Sequence, residues 1–198
     1  MKIQTPIYTI GYATKPIDVF IEQLHRYQIN VIADVRSVPY SKVFHDYHRE
    51  TLAATLKQNA IAYTYIGDEL GPRSKNPDHY NLSGQVQFDR LMKSDLFAEG
   101  VQRLQNGLDK QFNIALMCAE KDPATCHRSL LLGYFLVRNG YQHILHIDHD
   151  GELEAQHELE QRLCEIHAMG EDLFTSQEQQ KEDAYQLQLK KTSYFKPE

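Results

Sequence analysis

The chain of 198 residues has no tryptophan, only three cysteines and no long hydrophobic run. Three cysteines are too few for a disulfide framework, so we expect free thiols and a cytoplasmic location. No apolar stretch approaches the ~20 residues that a membrane-spanning helix requires. The first residues, 1–6, also lack the apolar core of a signal peptide. The sequence therefore predicts that a membrane is not a partner.

The chain also has no excess of positively charged over negatively charged residues. Lysine and arginine number 21 against 27 aspartates and glutamates, which gives a net charge of −6. Such a chain has no general basic field, so we do not expect it to bind extended duplex nucleic acid. A small anionic ligand needs only a local positive patch and is the predicted partner. With 41% hydrophobic and 24% charged residues, the chain has the composition of a globular protein.

Strand and helix patterns alternate along the chain. Apolar runs predict strands at 7–10, 31–35, 62–66, 112–118 and 143–148, and helical periodicity or composition predicts helices at 16–28, 48–59, 86–107, 123–139, 152–168 and 176–191. Alternation of this kind is typical of parallel strands joined by right-handed crossovers. We therefore predict one three-layer α/β domain over 1–198, with a mostly parallel sheet of about five strands between two helical layers. Residues 151–198 are expected to form its C-terminal helical part.

The segment 67–84 interrupts this pattern. It is rich in glycine, proline, asparagine and aspartate and shows no apolar period. A loop of this length in a compact domain is commonly functional or mobile. Arg73, with Ser74 and Lys75, could fold over a bound anion as a lid. The alternative is a solvated loop.

The most informative segment is Met117–Arg128. An apolar run ends in Cys118, a polar loop follows, and a helical pattern then opens with Cys126, His127 and Arg128. Strand, loop and helix in this order place the two thiols, the imidazole and the guanidinium at the carboxyl edge of the sheet. Ligands of open α/β sheets bind at this edge. The segment therefore predicts a functional site.

The residue types predict thiol chemistry at this site. A thiolate near a helix N-terminus is stabilised by the helix dipole, and His127 and Arg128 would add positive charge beside Cys126. Cys118 or Cys126 would then be the reactive group, with Glu120 or His127 moving protons. Two alternatives stay open. Cys118 could simply be a small buried residue at its strand end, and Glu120 could form a salt bridge within its loop.

A second polar pair, Asp34 and Arg36, follows the strand predicted at 31–35. If the sheet is parallel, this pair lies at the same edge as Cys118. The planar fork of Arg36 suits phosphate or carboxylate, so Arg36 and Arg128 are the predicted anion grip. Asp34 would act as a general base or position an arginine. The alternative is a buried ion pair between Asp34 and Arg36 that holds the loop.

A metal site is a further interpretation of the cysteines. Cys118 and Cys126 are eight positions apart, which is not the Cys-x-x-Cys spacing of zinc ribbons or redox motifs. Two thiolates and His127 could nevertheless bind a metal, with His45 or His48 as the fourth ligand. The leading prediction assigns no metal ligand and no cofactor.

Several segments together resemble the family catalogued as domain of unknown function 488. They are Tyr8–Gly11, Asp34–Arg36 with Pro39 and Ser41, Tyr65–Gly67 with Leu70–Gly71, Met117–Glu120 with Cys126–Arg128, Asp172–Phe174, and Ala184–Tyr185. The resemblance implies a small intracellular α/β protein. It implies no activity, because the family is named for lacking one.

The residues lead to one main hypothesis and two alternatives. The main hypothesis is an enzyme acting on an anionic substrate, for which a nucleotide-like molecule is one candidate. Its catalytic residues would be Cys118, Glu120, Cys126 and His127, and its substrate-binding residues Asp34, Arg36, Arg73 and Arg128. The alternatives are a non-catalytic module for a nucleotide or nucleic acid, and a structural metal site at the same residues. The oligomeric state is left open.

Overall fold

A six-stranded sheet forms the centre of the computed structural model, which describes residues 5–170 and 175–197. The strands are β1 (Ile7–Gly11), β2 (Val31–Asp34), β3 (Ala62–Tyr65), β4 (Ile114–Cys118), β5 (Ile144–Ile147) and β6 (Leu153–Ala155). Their order in the sheet is β3-β2-β4-β1-β5-β6. The first five pair in parallel, and β6 is antiparallel to β5. The family-like segment at 172–174 lies outside the described residues.

Helices cover both faces of this sheet. They are α1 (Ile17–Arg26), α2 (Arg49–Gln58), α3 (Gly67–Leu70), α4 (Phe88–Leu91), α5 (Asp95–Asp109), α6 (Tyr134–Arg138), α7 (Gln156–Ile166) and α8 (Gln177–Thr192). Buried residues of α1 and α2 form one hydrophobic core with the sheet, and those of α3 to α8 form a second core. The predicted three-layer α/β fold is therefore confirmed. Among the described helices, none is both long and apolar enough to cross a membrane.

β4 lies between β1 and β2, and all of its residues are buried. Successive side chains of a strand point to opposite faces, so β4 contributes to both cores. Ile114, Leu116 and Cys118 belong to the core formed with α5 and α6, whereas Ala115 and Met117 belong to the core formed with α1 and α2. This alternation turns Cys118 toward the helical segment that follows β4.

The chain after β4 differs from the single helix predicted at 123–139. Pro123–Thr125 forms a 3₁₀ turn, capped by the Asp122 side chain, which accepts from the amide of Ala124 at 2.9 Å. Cys126 is extended, with φ −123° and ψ 143°. A π-helical segment, Arg128–Gly133, then leads into α6. Pro123, which was expected to begin the helix, lies in the capped turn instead. The helix therefore starts after Cys126.

Three further elements were not predicted correctly. The helix predicted at 86–107 is split into α4 and α5, because the Ser94 hydroxyl caps a new helix by accepting from the amide of Phe97. The helix predicted at 152–168 begins at Gln156, because β6 pairs with β5 before it. The segment 67–84 contains α3 and a 3₁₀ turn, Pro77–His79, although it was predicted as a loop.

Candidate functional site

Four side chains converge just beyond β4, and we call them the thiol cluster: Cys118, Glu120, Cys126 and His127. One sulfur, oxygen or nitrogen atom of each lies within 4.8 Å of those of the other three. Cys118 ends β4, Glu120 lies in the following loop, and Cys126 and His127 lie where the helical segment begins. Within the described residues, this is the one such group of potential metal ligands. The structure thus brings together all four residues predicted to be catalytic.

Both cysteines of the cluster face the same carboxylate and the same imidazole. The thiols of Cys118 and Cys126 donate to Oε2 of Glu120 at 2.6 and 3.0 Å. Nδ1 of His127 lies 3.4 Å from the sulfur of Cys118 and 3.9 Å from that of Cys126. Both cysteines are free. One oxygen and one nitrogen are therefore shared by two sulfurs.

The orientation of His127 is set by the neighbouring strand. Its Nε2 lies 2.9 Å from the main-chain oxygen of Val35, directly after β2. A carbonyl oxygen only accepts, so Nε2 is the nitrogen that carries the proton. In a neutral ring, Nδ1 then has its lone pair directed at the two sulfurs. This arrangement is the usual one for a histidine that binds a metal ion.

Arg128 is completely buried and holds the loop that carries Glu120. Its guanidinium donates to the main-chain oxygens of Glu120 and Lys121 at 2.7 and 3.1 Å. Its main-chain amide donates to the sulfur of Cys126 at 3.5 Å. The guanidinium was predicted to bind an anion, but these two carbonyl contacts direct it into the protein. Among described residues, its Nε has no partner.

Gly11, the last residue of β1, allows the same loop to pass close to the sheet. A Cβ atom at this position would lie 1.9 Å from the main-chain oxygen of Glu120 and 2.8 Å from the Arg128 guanidinium. The main chain cannot yield by this amount without moving the loop. The absence of a side chain at Gly11 is therefore part of what places Glu120 beside the thiols. Gly11 was not among the residues predicted for the site.

Three members of the cluster are buried and one is exposed. The exposed fractions are 2% for Cys118, 1% for Cys126 and 7% for His127. Glu120 is exposed as a whole residue, but its carboxyl group is largely withdrawn from water, with Oε2 between the thiols. The cluster therefore reaches solvent through the side of the molecule where Glu120 lies.

The buried charges of the cluster influence each other. Burial raises the pKa of Cys118, and the neighbouring Cys126 raises it further. Burial also opposes ionisation of Cys126, but the Cys118 hydrogen bond and the charge of Arg128 prevail, so the pKa of Cys126 is lowered. Burial disfavours the charged imidazole, yet contact with Cys126 raises the pKa of His127. Desolvation of its carboxyl group between the thiols raises the pKa of Glu120.

Asp34 and Arg36 form a buried ion pair with each other. The Arg36 guanidinium donates to both carboxylate oxygens, at 2.9 and 2.6 Å, and to the main-chain oxygen of Tyr47 at 2.9 Å. The Tyr63 hydroxyl adds a fourth bond, to Asp34 at 2.6 Å. Burial opposes the charge on Arg36, but the Asp34 carboxylate raises its pKa. These contacts match the alternative in which the pair holds its loop.

The remaining predicted residues lie outside the thiol cluster. Arg73 is exposed, and its guanidinium lies 4.7 Å above the Tyr194 ring. It lines a cavity of about 600 Å³ to which the cluster contributes no residue. His45 and His48 contact each other edge to face, with ring centres 5.0 Å apart. Glu120 occupies the fourth position for which these histidines were considered.

The sequence carries a further signal for the predicted grouping of Glu120 with the cysteines. Glu120 follows Cys118 by two positions, and the side chains of an extended chain point to the same side every second residue. Backbone pairing with β1 continues past Cys118, because the amide of Ala13 donates to the oxygen of Ala119 at 2.8 Å. The extended conformation that places Glu120 on the side of Cys118 therefore continues beyond the strand.

Comparison with known families gives one match. The family model described as "Domain of unknown function DUF488" matches residues 16–135. This range is more than half of the chain and includes the whole thiol cluster. Comparisons with curated proteins and with solved structures found no match. The function must therefore be argued from the geometry of the cluster.

Proposed function

The chain belongs to the DUF488 family, and we propose that it is a metal-binding protein in which the thiol cluster holds one zinc-type divalent ion. The convergence of four potential ligand atoms within 4.8 Å carries this proposal. Two thiolates, an imidazole and a carboxylate are a donor set that suits zinc. Among the interpretations drawn from the sequence, this is the metal site, with Glu120 as its fourth ligand.

The spacing between sulfur and nitrogen supports such a site. Around a tetrahedral zinc ion, with bonds of about 2.3 Å to sulfur and about 2.0 Å to nitrogen, these atoms lie roughly 3.5 Å apart. The measured separations from His127 Nδ1 to the sulfurs are 3.4 and 3.9 Å. The bond from Nε2 to Val35 adds support, because it leaves Nδ1 free to bind the ion.

The burial of the sulfurs also favours an ion over an organic substrate. Cys118 and Cys126 are almost fully buried. Four cavities formed by described residues are lined by residues outside the cluster. A metal ion needs only the space between its ligands, whereas a substrate attacked by a thiolate needs a cleft beside it.

Metal analysis of cysteine variants tests the proposal. The full chain is purified under reducing conditions, loaded with Zn²⁺ and passed through a desalting column, and its zinc content is measured. We expect one zinc per chain in the wild type and in Cys164→Ser, the control, because the third cysteine lies in α7, outside the cluster. Cys118→Ser and Cys126→Ser should lose the metal. Zinc-free wild type, or equal loss in Cys164→Ser, would overturn the proposal.

A second candidate is the thiol-dependent enzyme acting on an anionic substrate. It is favoured by the contacts of both thiols with a carboxylate and an imidazole, two groups that can move protons. Alkylation distinguishes the candidates. A metal site predicts that Zn²⁺ protects Cys118 and Cys126 from iodoacetamide and that a chelator removes this protection. A thiol enzyme predicts a reactive cysteine in the protein as isolated, and turnover without metal.

A cytoplasmic location is part of the same proposal. Both kinds of site require reduced thiols, and all three cysteines are free. Fractionation of the source cells, followed by detection of the chain, tests this location. Recovery of the protein from an oxidising compartment would contradict it.

A further inference from the structure

We infer that Glu120 is an exchangeable ligand and that a small exogenous anion or water takes its place on the ion. This inference rests on the proposed metal site and describes its open position. The site would then resemble a catalytic zinc centre, which keeps three protein ligands and one exchangeable position, rather than a closed structural one. The three permanent ligands are Cys118, Cys126 and His127.

The first argument is the unequal exposure of the four ligands. Cys118, Cys126 and His127 are buried, whereas Glu120 is exposed. A molecule arriving from solvent therefore meets Glu120 first. Replacing this side chain opens the ion to solvent without moving any element of the core.

The second argument is that the three buried ligands are anchored independently of any ion. The amide of Tyr12 donates to the main-chain oxygen of Cys118 at 3.2 Å. The amide of Leu130 donates to that of Cys126 at 3.0 Å. His127 is fixed through Val35 at 2.9 Å. These contacts persist whatever occupies the fourth position.

The main chain of Glu120 is anchored too, because its oxygen accepts from Arg128 at 2.7 Å, but its carboxylate has no partner besides the thiols among the described residues. Both thiols donate to Oε2. Both bonds use thiol protons, and a bound metal ion displaces those protons. The carboxylate then loses both of its donors and faces two negatively charged sulfurs. Only the metal itself would hold it in place.

The distances point in the same direction. Oε2 of Glu120 lies 2.6 and 3.0 Å from the two sulfurs. Around a tetrahedral zinc ion, a carboxylate oxygen and a thiolate sulfur are roughly 3.5 Å apart. Metal binding therefore requires this oxygen to withdraw from both sulfurs. The exposed side chain can do so toward solvent.

Charge defines the class of the incoming ligand. A divalent ion with two thiolates and a neutral imidazole is neutral overall. The fully buried guanidinium of Arg128, next to the cluster, adds one positive charge. An anion at the fourth position balances this charge, as Glu120 does. Because both sulfurs are almost fully buried, the anion must be small or must reach the ion with one end, as a carboxylate does.

Cobalt substitution tests this inference, because Co²⁺ replaces zinc and its visible spectrum reports its ligands. The full chain and Glu120→Ala are loaded with Co²⁺ and titrated with azide and with acetate. Glu165→Ala serves as the control, because Glu165 is an exposed glutamate on α7, outside the cluster. We expect Glu120→Ala to retain one Co²⁺ per chain, with an altered spectrum, and to bind both anions about tenfold more tightly than the wild type does.

Two results would overturn the inference. One is loss of cobalt from Glu120→Ala as complete as that from Cys126→Ser, which would make Glu120 a permanent ligand. The other is a spectrum of Glu120→Ala that azide and acetate leave unchanged. Failure of the metal site itself is distinguishable from both, because the wild type would then bind no cobalt.

Discussion

Nε2 of His127 lies 2.9 Å from the main-chain oxygen of Val35, so the segment after β4 is joined to the end of β2. This bond leaves Nδ1 of the ring 3.4 Å from the sulfur of Cys118. The parallel arrangement of β2 beside β4 thereby determines which nitrogen faces the thiols. The strand order of the sheet thus sets the orientation of the His127 ring in the thiol cluster.

If His127 is a metal ligand, its removal should weaken zinc binding. His127→Ala should lower the affinity for zinc by about 100-fold or more, because it removes one ligand and its support. The affinity is measured by competition with a chromophoric chelator. His45→Ala is the matched control, because His45 contacts His48 edge to face, outside the cluster. Equal affinities of the two variants would show that His127 is not a ligand.

Arg128 should be important for stability even without metal. Arg128→Ala removes the donor to the main-chain oxygens of Glu120 and Lys121 and empties the space of a fully buried side chain. We expect the free energy of unfolding in the presence of a chelator to fall by about 2–4 kcal/mol. Urea denaturation measures this change. Arg26→Ala, which removes an exposed ion pair with Glu152, should cost far less. A similar cost for both variants would contradict the role assigned to Arg128.

Gly11 predicts a steric effect on the same loop. In Gly11→Ala, the new methyl group meets the main-chain oxygen of Glu120 at 1.9 Å, so the loop must move. We expect a loss of about 1–3 kcal/mol in the free energy of unfolding, together with weaker zinc binding. Gly170→Ala is the control, because a Cβ atom there meets no atom within 4 Å. If Gly11→Ala is as stable as the control, the close approach does not constrain the loop that carries Glu120.

His146 predicts a dependence of stability on pH. The buried ring lies between the Thr9 hydroxyl and the Gln156 side-chain oxygen, each at 2.8 Å. Burial, aided by the charge of Arg128, lowers the pKa of His146 to about 3. His146 therefore becomes protonated near pH 6.5 in the unfolded chain, but only near pH 3 in the folded protein. This contribution to stability is complete above pH 6.5 and is lost as the pH falls toward 3.

Two variants isolate this effect. His146→Gln cannot titrate, so the difference in the free energy of unfolding between wild type and variant should shrink steadily from pH 7 to pH 4.5. Urea denaturation in the presence of a chelator measures it and keeps the thiol cluster free of metal. His143→Gln, at an exposed position, is the matched control substitution. A constant difference for His146→Gln would show that the folded protein protonates His146 as readily as the unfolded chain does.

The strands that carry the site were predicted well from the sequence, because their apolar residues form clear patterns. The nearly continuous apolar run at 31–35 and the apolar run ending at Cys118 are typical of strands buried on both faces, and both strands were found. The parallel sheet then places their carboxyl ends together. Cys118 and Asp34 indeed lie at the same edge, where the amide of Val35 donates to the oxygen of Met117 at 3.1 Å.

The details that the sequence did not predict depend on contacts distant in the chain. Nothing local distinguishes an arginine that binds a ligand from Arg128, which binds main-chain oxygens of its own loop. The position of Glu120 depends in turn on Arg128 and on Gly11, more than 100 residues earlier in the chain. β6 is short and partly exposed, so its apolar pattern is weak, and its pairing with β5 alone defines it.

X-ray absorption at the zinc edge of the zinc-loaded full chain is the most direct test of the proposed metal site. This measurement reports the type, number and distance of the atoms bound to the ion. We predict two sulfur atoms at about 2.3 Å and two nitrogen or oxygen atoms at about 2.0 Å. A first shell of nitrogen and oxygen alone would show that Cys118 and Cys126 do not bind the ion, and the proposed function would be wrong.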